Sequence, residues 1–191
     1  MESKSYQIKE REKTAQALLA AYRKGDHTAF MALYNMYADM LLNYGMCMTT
    51  DKELVKDCVQ DVFCKLIARS NQLHVLKVTS YLLISLRNRL LDEFRRKGYM
   101  TETAVENVLL EKAVEDVEHS YIQDEKTLNN KRKVTALMNE LTPRQRQEFT
   151  LYYIEQRKYE DICEIMQMNY HSVRNLVHRG MLKLRSVAVA M

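Results

Sequence analysis

The stretch Lys158–Arg185, with the sequence KYEDICEIMQMNYHSVRNLVHRGMLKLR, decides how the rest of this chain is interpreted. Its apolar residues predict two short helices, the first over about Tyr159–Met166, joined by a tight turn at residues 167–169. Within that turn, Asn169 can cap the second helix by accepting a backbone N–H that would otherwise lack a partner. The pattern is typical of a helix-turn-helix.

The second helix combines an apolar seam with a basic face. The seam repeats at helical steps, and no acidic residue occurs from Tyr170 to the last residue. Such a face suits the major groove of DNA, where side-chain donors meet base edges. An ordinary helical hairpin with a solvated basic face is the alternative, but a solvated helix usually mixes charges of both signs. The seam is Val173, Leu176, Val177 and Leu184, and the basic face carries His171, Arg174, Asn175, His178, Arg179, Lys183 and Arg185.

The composition is that of a globular, helical protein. Of 191 residues, 47% are hydrophobic and 28% are charged, while four Gly and one Pro leave few turn signals. The net charge of +4 is modest, so a nucleic-acid signal must come from local clustering. No apolar run approaches the length of a membrane span, and the charged N-terminus does not resemble a signal peptide. We therefore expect a cytoplasmic protein without direct membrane binding.

The four cysteines give no sign of a metal or cofactor site. They lack a CxxC pair and a histidine at zinc-ligand spacing, so we expect each to be a small, reduced core residue. They are Cys47, Cys58, Cys64 and Cys163.

The order of patterns predicts an all-α chain with two small helical domains joined by a flexible acidic linker. Residues 1–13 are expected to be a loose charged tail, and residues 14–98 a helical bundle with a loop at 70–79. Residues 99–128 form the linker, and residues 129–191 form the domain that carries the helix-turn-helix. That domain opens on Thr142-Pro143-Arg144-Gln145, a capping box, and the helix after it is expected to turn Phe149, Tyr152 and Tyr153 towards the core.

Two helices of the predicted bundle present outward faces of opposite character. The helix over residues 51–68 shows an acidic face, and the helix over residues 80–97 shows arginines and an amide near a tyrosine. Cations, amides and rings together suit a single nucleic-acid strand, whereas an arginine-rich helix end that complements the helix dipole is the alternative. The acidic face is Asp57, Gln60, Asp61 and Lys65, and the other face is Tyr81, Arg87, Asn88, Arg89, Arg95 and Arg96.

Taken together, these segments resemble the extracytoplasmic-function sigma factors, a group within the sigma-70 family of bacterial RNA polymerase initiation factors. The resemblance covers nearly the whole chain. It is carried by KDCVQDVFCKL at residues 56–66, by Tyr81-Leu82 with Arg87-Asn88, by LTPRQR at residues 141–146, and by residues 172–185.

The resemblance implies an alternative sigma factor, with sigma region 2 in the bundle and sigma region 4 at the C-terminal end. Region 2 would bind core polymerase, at the clamp coiled coil of the beta-prime subunit, and melt the minus-ten element, while region 4 would bind the minus-thirty-five element. An anti-sigma factor is a further partner that the resemblance allows. The implied core-polymerase contacts are Asp57, Gln60, Asp61 and Lys65.

The resemblance also assigns the DNA contacts. Tyr81, Arg87, Asn88, Arg95 and Arg96, together with the loop at 70–79, would hold the minus-ten strand. In the helix-turn-helix, base contacts and phosphate contacts are expected to differ in role, because base contacts specify sequence and phosphate contacts set register. The implied base contacts are His171, Ser172, Arg174, Asn175 and His178, and the phosphate contacts are Arg179, Lys183, Arg185, Arg144 and Lys158.

Two rival functions accompany this interpretation, and the sequence also departs from the family pattern, for example at Gln167 and Gly180. The rivals are a free-standing helix-turn-helix regulator and an enzyme carrying a helix-turn-helix, although no catalytic acid pair, nucleophile set or phosphate-binding glycine loop is visible in the sequence. Gln167 stands in the turn where the family often has Gly, so its backbone must avoid positive φ or bear strain. Gly180 interrupts the recognition helix at a cost of up to ~1 kcal/mol.

Overall fold

The computed structural model describes residues 2–69, 77–96 and 134–190, and it is helical in each of these ranges, with no strand among them. The expected acidic linker, the helix end at Gly98 and the domain boundary near residue 129 lie outside the described residues. Among the described residues, no helix is both long and apolar enough to cross a membrane.

Four helices form the N-terminal bundle. Helix α2 packs against α1, α3 and α4, and α3 and α1 also pack against α4, so one apolar core lies between them. Large side chains such as Tyr37, Tyr44 and Phe63 are fully buried there, which fits the spacing of apolar residues in the sequence. The helices are α1 Glu2–Arg23, α2 Thr28–Met46, α3 Lys52–Ala68 and α4 Val78–Arg96.

The expectation of a loose tail over residues 1–13 was wrong, because α1 begins at Glu2 and runs through this segment. Tertiary contacts explain the longer helix. Arg11 donates to Glu155 Oε2 at 3.1 Å in the C-terminal part of the chain, and Ala15 is fully buried against the bundle. Charge patterning did not reveal these contacts, since their partners are distant in sequence.

Helix α4 begins two residues before the expected start, so Val78 and Thr79 belong to the helix and not to the loop. Both are buried. The carboxylate of Glu12 caps this helix: it accepts from the backbone N–H of Val78 and, at 2.8 Å, from the Thr79 hydroxyl. A carboxylate at a helix N-terminus satisfies free N–H groups and complements the helix dipole. Helix α1 thereby fixes the start of α4.

The C-terminal unit contains the expected capping box and the expected helix pair. Thr142 Oγ1 accepts from Gln145 N, and Gln145 Oε1 accepts from Thr142 N at 3.0 Å, with Pro143 at the first helical position. Residues 134–139 are also helical. The further elements are α5 Pro143–Phe149, a π-helical turn Thr150–Ile154, α6 Tyr159–Met166 and α7 Tyr170–Ala190.

The π-helical turn changes which side chains face the core. The wider turn shifts the helical register, so Leu151 is fully buried whereas Tyr153 is 40% exposed. Tyr152 and Phe149 are half-buried. The expectation that all three aromatic residues turn into the core was therefore wrong in part, because it assumed an uninterrupted α-helical period.

The expectation that all four cysteines are core residues was wrong in part. Cys47 and Cys58 are buried core residues, as expected, whereas Cys64 is exposed and Cys163 is half-buried. Cys64 lies on the solvent side of α3, beside the predicted polymerase face. No group of three or more His, Cys, Asp or Glu side chains in the described part of the chain is placed to hold a metal ion.

Candidate nucleic-acid and protein interfaces

Helix α7, which the sequence predicts to be the recognition helix, is positioned by its apolar seam and by the turn before it. Val173 is fully buried, Leu176 and Val177 are nearly so, and Leu184 is half-buried. Asn169 Oδ1 accepts from Ser172 N at 2.8 Å, which confirms the expected cap. These contacts fix the rotation of α7 about its axis, so its basic face is held towards solvent.

In the turn between α6 and α7, the backbone of Gln167 has a positive φ, which is the strained alternative of the two expected from the sequence. Gln167 has φ 54° and ψ 46°, the left-handed conformation that Gly adopts without a steric cost. Gln167 N donates to Glu164 O at 3.4 Å, and Met168 N donates to Cys163 O at 3.0 Å. Helix α6 therefore ends in the left-handed conformation that is common at helix C-termini, but with Gln167 in the position that Gly usually occupies.

The predicted minus-thirty-five contacts share one surface of α7. Ser172 is half-buried because it lies at the capped first turn, and all the others are exposed. Arg179 Nε donates to the carbonyl of Asn175 at 3.4 Å, a weak contact that leaves the guanidinium group available. The exposed members are His171, Arg174, Asn175, His178, Arg179 and Lys183, together with Arg185.

An aromatic chain that sequence reasoning did not find supports the start of α7. Ring centroids are 4.4 Å apart for Phe149 and Tyr153, 5.0 Å for Tyr152 and Tyr159, and 5.5 Å for Tyr159 and Tyr170. Such spacings favour ring packing beyond simple burial. The aromatic chain links the π-helical turn to Tyr170, the first residue of α7. The sequence signal that could have indicated this aromatic chain is the clustering of tyrosines at positions 152, 153, 159 and 170.

Under this aromatic chain lies a buried acid, Glu148. It is 1% exposed, and its Oε1 atom has no hydrogen-bond partner. Burial raises the pKa of Glu148 to about 8, so the carboxyl group is mainly protonated at neutral pH. Its neutral form suits the apolar surroundings.

The predicted polymerase-binding face on α3 is largely open. Asp57, Gln60 and Lys65 are exposed, while Asp61 is half-buried. Asp61 Oδ2 accepts from Arg89 Nε of α4 at 2.8 Å. This acidic face is therefore joined to α4, and Arg89 offsets part of its charge.

The arginines of α4 are less free than their number suggests. Arg89 also pairs with Glu93, and Arg96 Nη2 lies 2.8 Å from Glu93 Oε2. Arg95 Nη1 lies 3.2 Å from Asp92 Oδ1. Hydrogen bonds from Arg89 hold the pKa of Glu93 below its usual value, against the effect of burial. The i, i+4 and i, i+3 spacing of these residues was a usable signal that sequence reasoning missed.

The predicted minus-ten contacts do not all face solvent. Asn88, Arg95 and Arg96 are exposed, whereas Tyr81 is half-buried against the core. Arg87 was expected on the outward side, and this was wrong: the residue is half-buried, with its Nη1 atom buried and without a hydrogen-bond partner. Burial lowers the pKa of Arg87. Arg87 interacts electrostatically with Tyr44 of α2 and with Arg144 of the C-terminal unit, so it lies near both.

Two family models match separate parts of the chain. The family model "Sigma-70 region 2" matches residues 33–99, and "Sigma-70, region 4" matches residues 131–184. The chain is 24% identical over 157 residues to "ECF RNA polymerase sigma factor SigM" of Bacillus subtilis (strain 168), which covers 81% of this chain and 92% of that protein.

Two solved structures share the fold. One is of CnrH in complex with the cytosolic domain of CnrY, with a TM-score of 0.61 and 16% identity, covering 93% of this chain and 98% of CnrH. The other is of the sigma factor RpoE in complex with the anti-sigma factor NepR from Bartonella quintana, with a TM-score of 0.62 and 18% identity, covering 83% of this chain and 96% of RpoE. With both family models matched in the order that the sequence predicts, the chain belongs to the extracytoplasmic-function group of the sigma-70 family.

Proposed function

We propose that this chain is an alternative sigma factor that directs core RNA polymerase to a specific set of promoters and helps to melt the minus-ten element. The observation that carries the proposal is the basic face of α7, held outward by a buried seam in a unit that matches sigma region 4. No step of the proposal needs catalysis by this protein, which acts through binding alone.

Recognition of the minus-thirty-five element is assigned to the first turns of α7. His171, Arg174, Asn175 and His178 present donors and acceptors on the solvent side, where an α-helix enters the major groove. Arg179, Lys183 and Arg185 lie further along the same helix and suit phosphate oxygens, which set register but carry no sequence information.

Melting of the minus-ten element is assigned to α4. Asn88 is the best candidate for a base contact, since its amide is exposed in the middle of the helix, and Arg95 and Arg96 suit the backbone of a single strand. Unstacking a base costs a few kcal/mol, which contacts to the displaced strand offset. The assignment of Arg87 requires that its guanidinium group become accessible first.

Docking on core polymerase is assigned to the α3 face. Asp57, Gln60 and Lys65 are exposed and Asp61 is partly so, which leaves a polar surface of mixed sign with an acidic centre. The clamp coiled coil of the beta-prime subunit is the proposed partner. An anti-sigma factor is a second proposed partner, because the similar RpoE of Bartonella quintana was solved with one.

Run-off transcription from a genomic fragment library tests the proposal. We expect defined start sites only when both purified core polymerase and this protein are present, and alignment of those starts should reveal two conserved elements. The variant Asn88→Ala should still form the closed promoter complex but open it more slowly, as measured by permanganate reactivity of unpaired thymines. The variant Asn35→Ala, which removes the same amide at an exposed position of α2, is the matched control.

The same preparation separates this proposal from a free-standing regulator. A regulator would shift specific duplex DNA without polymerase and would not create start sites with it. That outcome would show that the α3 face has a different partner.

A further inference from the structure

The start of α4 lacks a capping side chain of its own. Its first helical residue is Val78, and Tyr81 N donates to Lys77 O at 3.1 Å, which places Lys77 at the N-cap position. A lysine side chain carries only donors, so it cannot accept from the free backbone N–H groups of the first turn. That turn contains no acidic residue either. The first turn of α4 therefore depends on a group from elsewhere in the chain.

Glu12 of α1, 66 residues before Val78, supplies that group. Its Oε1 atom accepts from Val78 N, and its Oε2 atom accepts from Thr79 N at 3.4 Å and from Thr79 Oγ1 at 2.8 Å. Val78 is 0% exposed and Thr79 is 1% exposed, so water has little access to their N–H groups. Because a buried N–H without a partner is unfavourable, the first turn would fray without Glu12.

A second hydrogen bond extends this network into the bundle core. Tyr37 of α2 is fully buried, and its hydroxyl oxygen lies 2.9 Å from Thr79 Oγ1. Since Thr79 donates its own hydroxyl proton to Glu12, Tyr37 is the donor in this pair. Burial raises the pKa of Tyr37 to about 12, so the phenol keeps its proton at neutral pH. Helices α1 and α2 thus hold the Thr79 side chain from two directions.

Without Glu12, α4 would have a different starting point available. Thr79 and Ser80 are both residue types that cap helices well, so a helix that began after either of them would need no contact with α1. The sequence alone indicated such a start, at Ser80. Glu12 instead binds the Thr79 hydroxyl, and both Val78 and Thr79 lie within the helix. The carboxylate therefore decides where α4 begins.

This starting point matters for the proposed minus-ten surface. Tyr81 belongs to the first turn of α4, and it shares a helix face with Asn88, because seven residues make close to two helical turns. Fraying of the first turn would detach Tyr81 from the helix and leave these two groups without a fixed spacing. Glu12 is itself an anion that would repel DNA phosphates, so any contribution to strand binding must act through α4.

We propose that Glu12 is a positioning residue for melting of the minus-ten element: its carboxylate sets the start of α4 and so holds Tyr81 in register with Asn88 for the displaced strand. The inference rests on the proposed function, because the assignment of α4 to the minus-ten strand is what gives this helix start a role. A group that is already ordered costs no ordering when the strand binds. Loss of the cap should therefore lower affinity for the strand and not for polymerase.

Hydrogen exchange tests the structural half of the inference. Glu12→Ala should speed amide exchange at Val78 and Thr79 at least about tenfold, because both N–H groups lose their acceptor. Glu12→Gln should speed it about threefold, since its amide oxygen still accepts a hydrogen bond but carries no charge to complement the helix dipole. Nuclear magnetic resonance of the free, full-length protein resolves the individual amides.

Binding of a single strand tests the functional half. The probe is a fluorescent oligonucleotide with the minus-ten sequence that run-off transcription identifies, bound by the complex of this protein with core polymerase. Its affinity should fall at least about tenfold for Glu12→Ala and about threefold for Glu12→Gln, in the order of the exchange rates. Affinity for core polymerase should stay within about twofold of the wild type, because the α3 face is not part of this network.

Glu10→Ala is the matched control for both measurements. It removes a carboxylate from the same helix, but Glu10 pairs with Lys13 of α1, so no contact with α4 is lost through this pair. This variant should behave like the wild type in amide exchange, strand binding and polymerase binding.

The outcomes separate this inference from the proposed function. Unchanged exchange at Val78 and Thr79 in Glu12→Ala, or faster exchange with unchanged strand affinity, would overturn the positioning role. Equal acceleration throughout α4, with polymerase affinity falling alongside strand affinity, would indicate a general loss of stability and would also overturn it. If Glu12→Ala does not fold, Glu12→Gln decides by the same criteria. Absence of start sites with the wild type would instead overturn the proposed function, while the exchange rates would still show whether Glu12 caps α4.

Discussion

Arg89 on α4 donates to Asp61 on α3 at 2.8 Å, and this hydrogen bond links the helix assigned to the minus-ten strand to the surface assigned to polymerase. The hydrogen bonds to Asp61 and Glu93 raise the pKa of Arg89, so the cation is permanent. A polymerase group that engaged Asp61 would compete with Arg89 directly. Replacing Asp61 by Arg would therefore disturb the bundle as well as the docking surface, and Asp57 is the cleaner position for a test.

Asp57→Arg should weaken binding to core polymerase about tenfold, or about 1.4 kcal/mol, because it reverses a charge at an exposed position of the α3 face. Fluorescence anisotropy with labelled protein measures the affinity, and thermal unfolding should show an unchanged midpoint. Asp39→Arg makes the same change on the exposed side of α2 and should bind like the wild type. Equal affinities for all three proteins would contradict the docking assignment.

Arg174→Ala should cost about 1–3 kcal/mol at one base pair of the minus-thirty-five element and relax the preference there, if Arg174 reads a base edge. The measurement is transcription from a set of promoters that differ by single base pairs. Lys183→Ala is the comparison: as a phosphate contact it should weaken all promoters alike and reduce the salt dependence of binding by about one charge. A uniform loss for Arg174→Ala would place it among the phosphate contacts.

Gly180→Ala should stabilise the C-terminal unit by up to about 1 kcal/mol, since Gly in a helix interior is entropically unfavourable. The structure has room for the methyl group: an added Cβ would lie 3.9 Å from Leu141 Cδ2 and 4.0 Å from Gln145 Cβ, which are ordinary contact distances. Urea unfolding followed by circular dichroism measures the change. Gly45→Ala is the opposite case, because its Cβ would clash with Val55, and it should destabilise the bundle.

Glu148→Gln should remove a pH dependence of stability. In the folded chain the pKa of Glu148 is about 8, above its ordinary 4.5, so the unfolded chain releases this proton at lower pH than the folded chain does. Stability from this group is therefore complete below about pH 4.5 and falls by up to about 1.4 kcal/mol per pH unit as the pH rises towards 8. Unfolding midpoints at pH 5, 6.5 and 8 should fall for the wild type and change much less for Glu148→Gln. Parallel curves would mean that the acid is solvated.

Local sequence determined the individual elements of this protein. The helix Tyr159–Met166 was predicted with its observed bounds. The caps at Asn169 and Thr142 were also predicted, and each accepts from a backbone N–H only three positions further along the chain. Helical periodicity and capping are short-range effects, so neighbouring residues suffice to predict them. The resemblance to the sigma-70 family could also be recognised from the sequence alone, because it depends on the order of the motifs along the chain and not on how they pack.

Tertiary structure decided how these elements meet. The extension of α1 to Glu2, the cap that Glu12 provides for α4, and the burial of Arg87 all depend on partners that are far away in sequence. The register change at Thr150–Ile154 belongs to the same class, since a π-helical turn is stabilised by what its side chains pack against. The sequence by itself determined two helical units and their order, and only the packing between them decided which of the proposed DNA-binding groups the folded chain exposes.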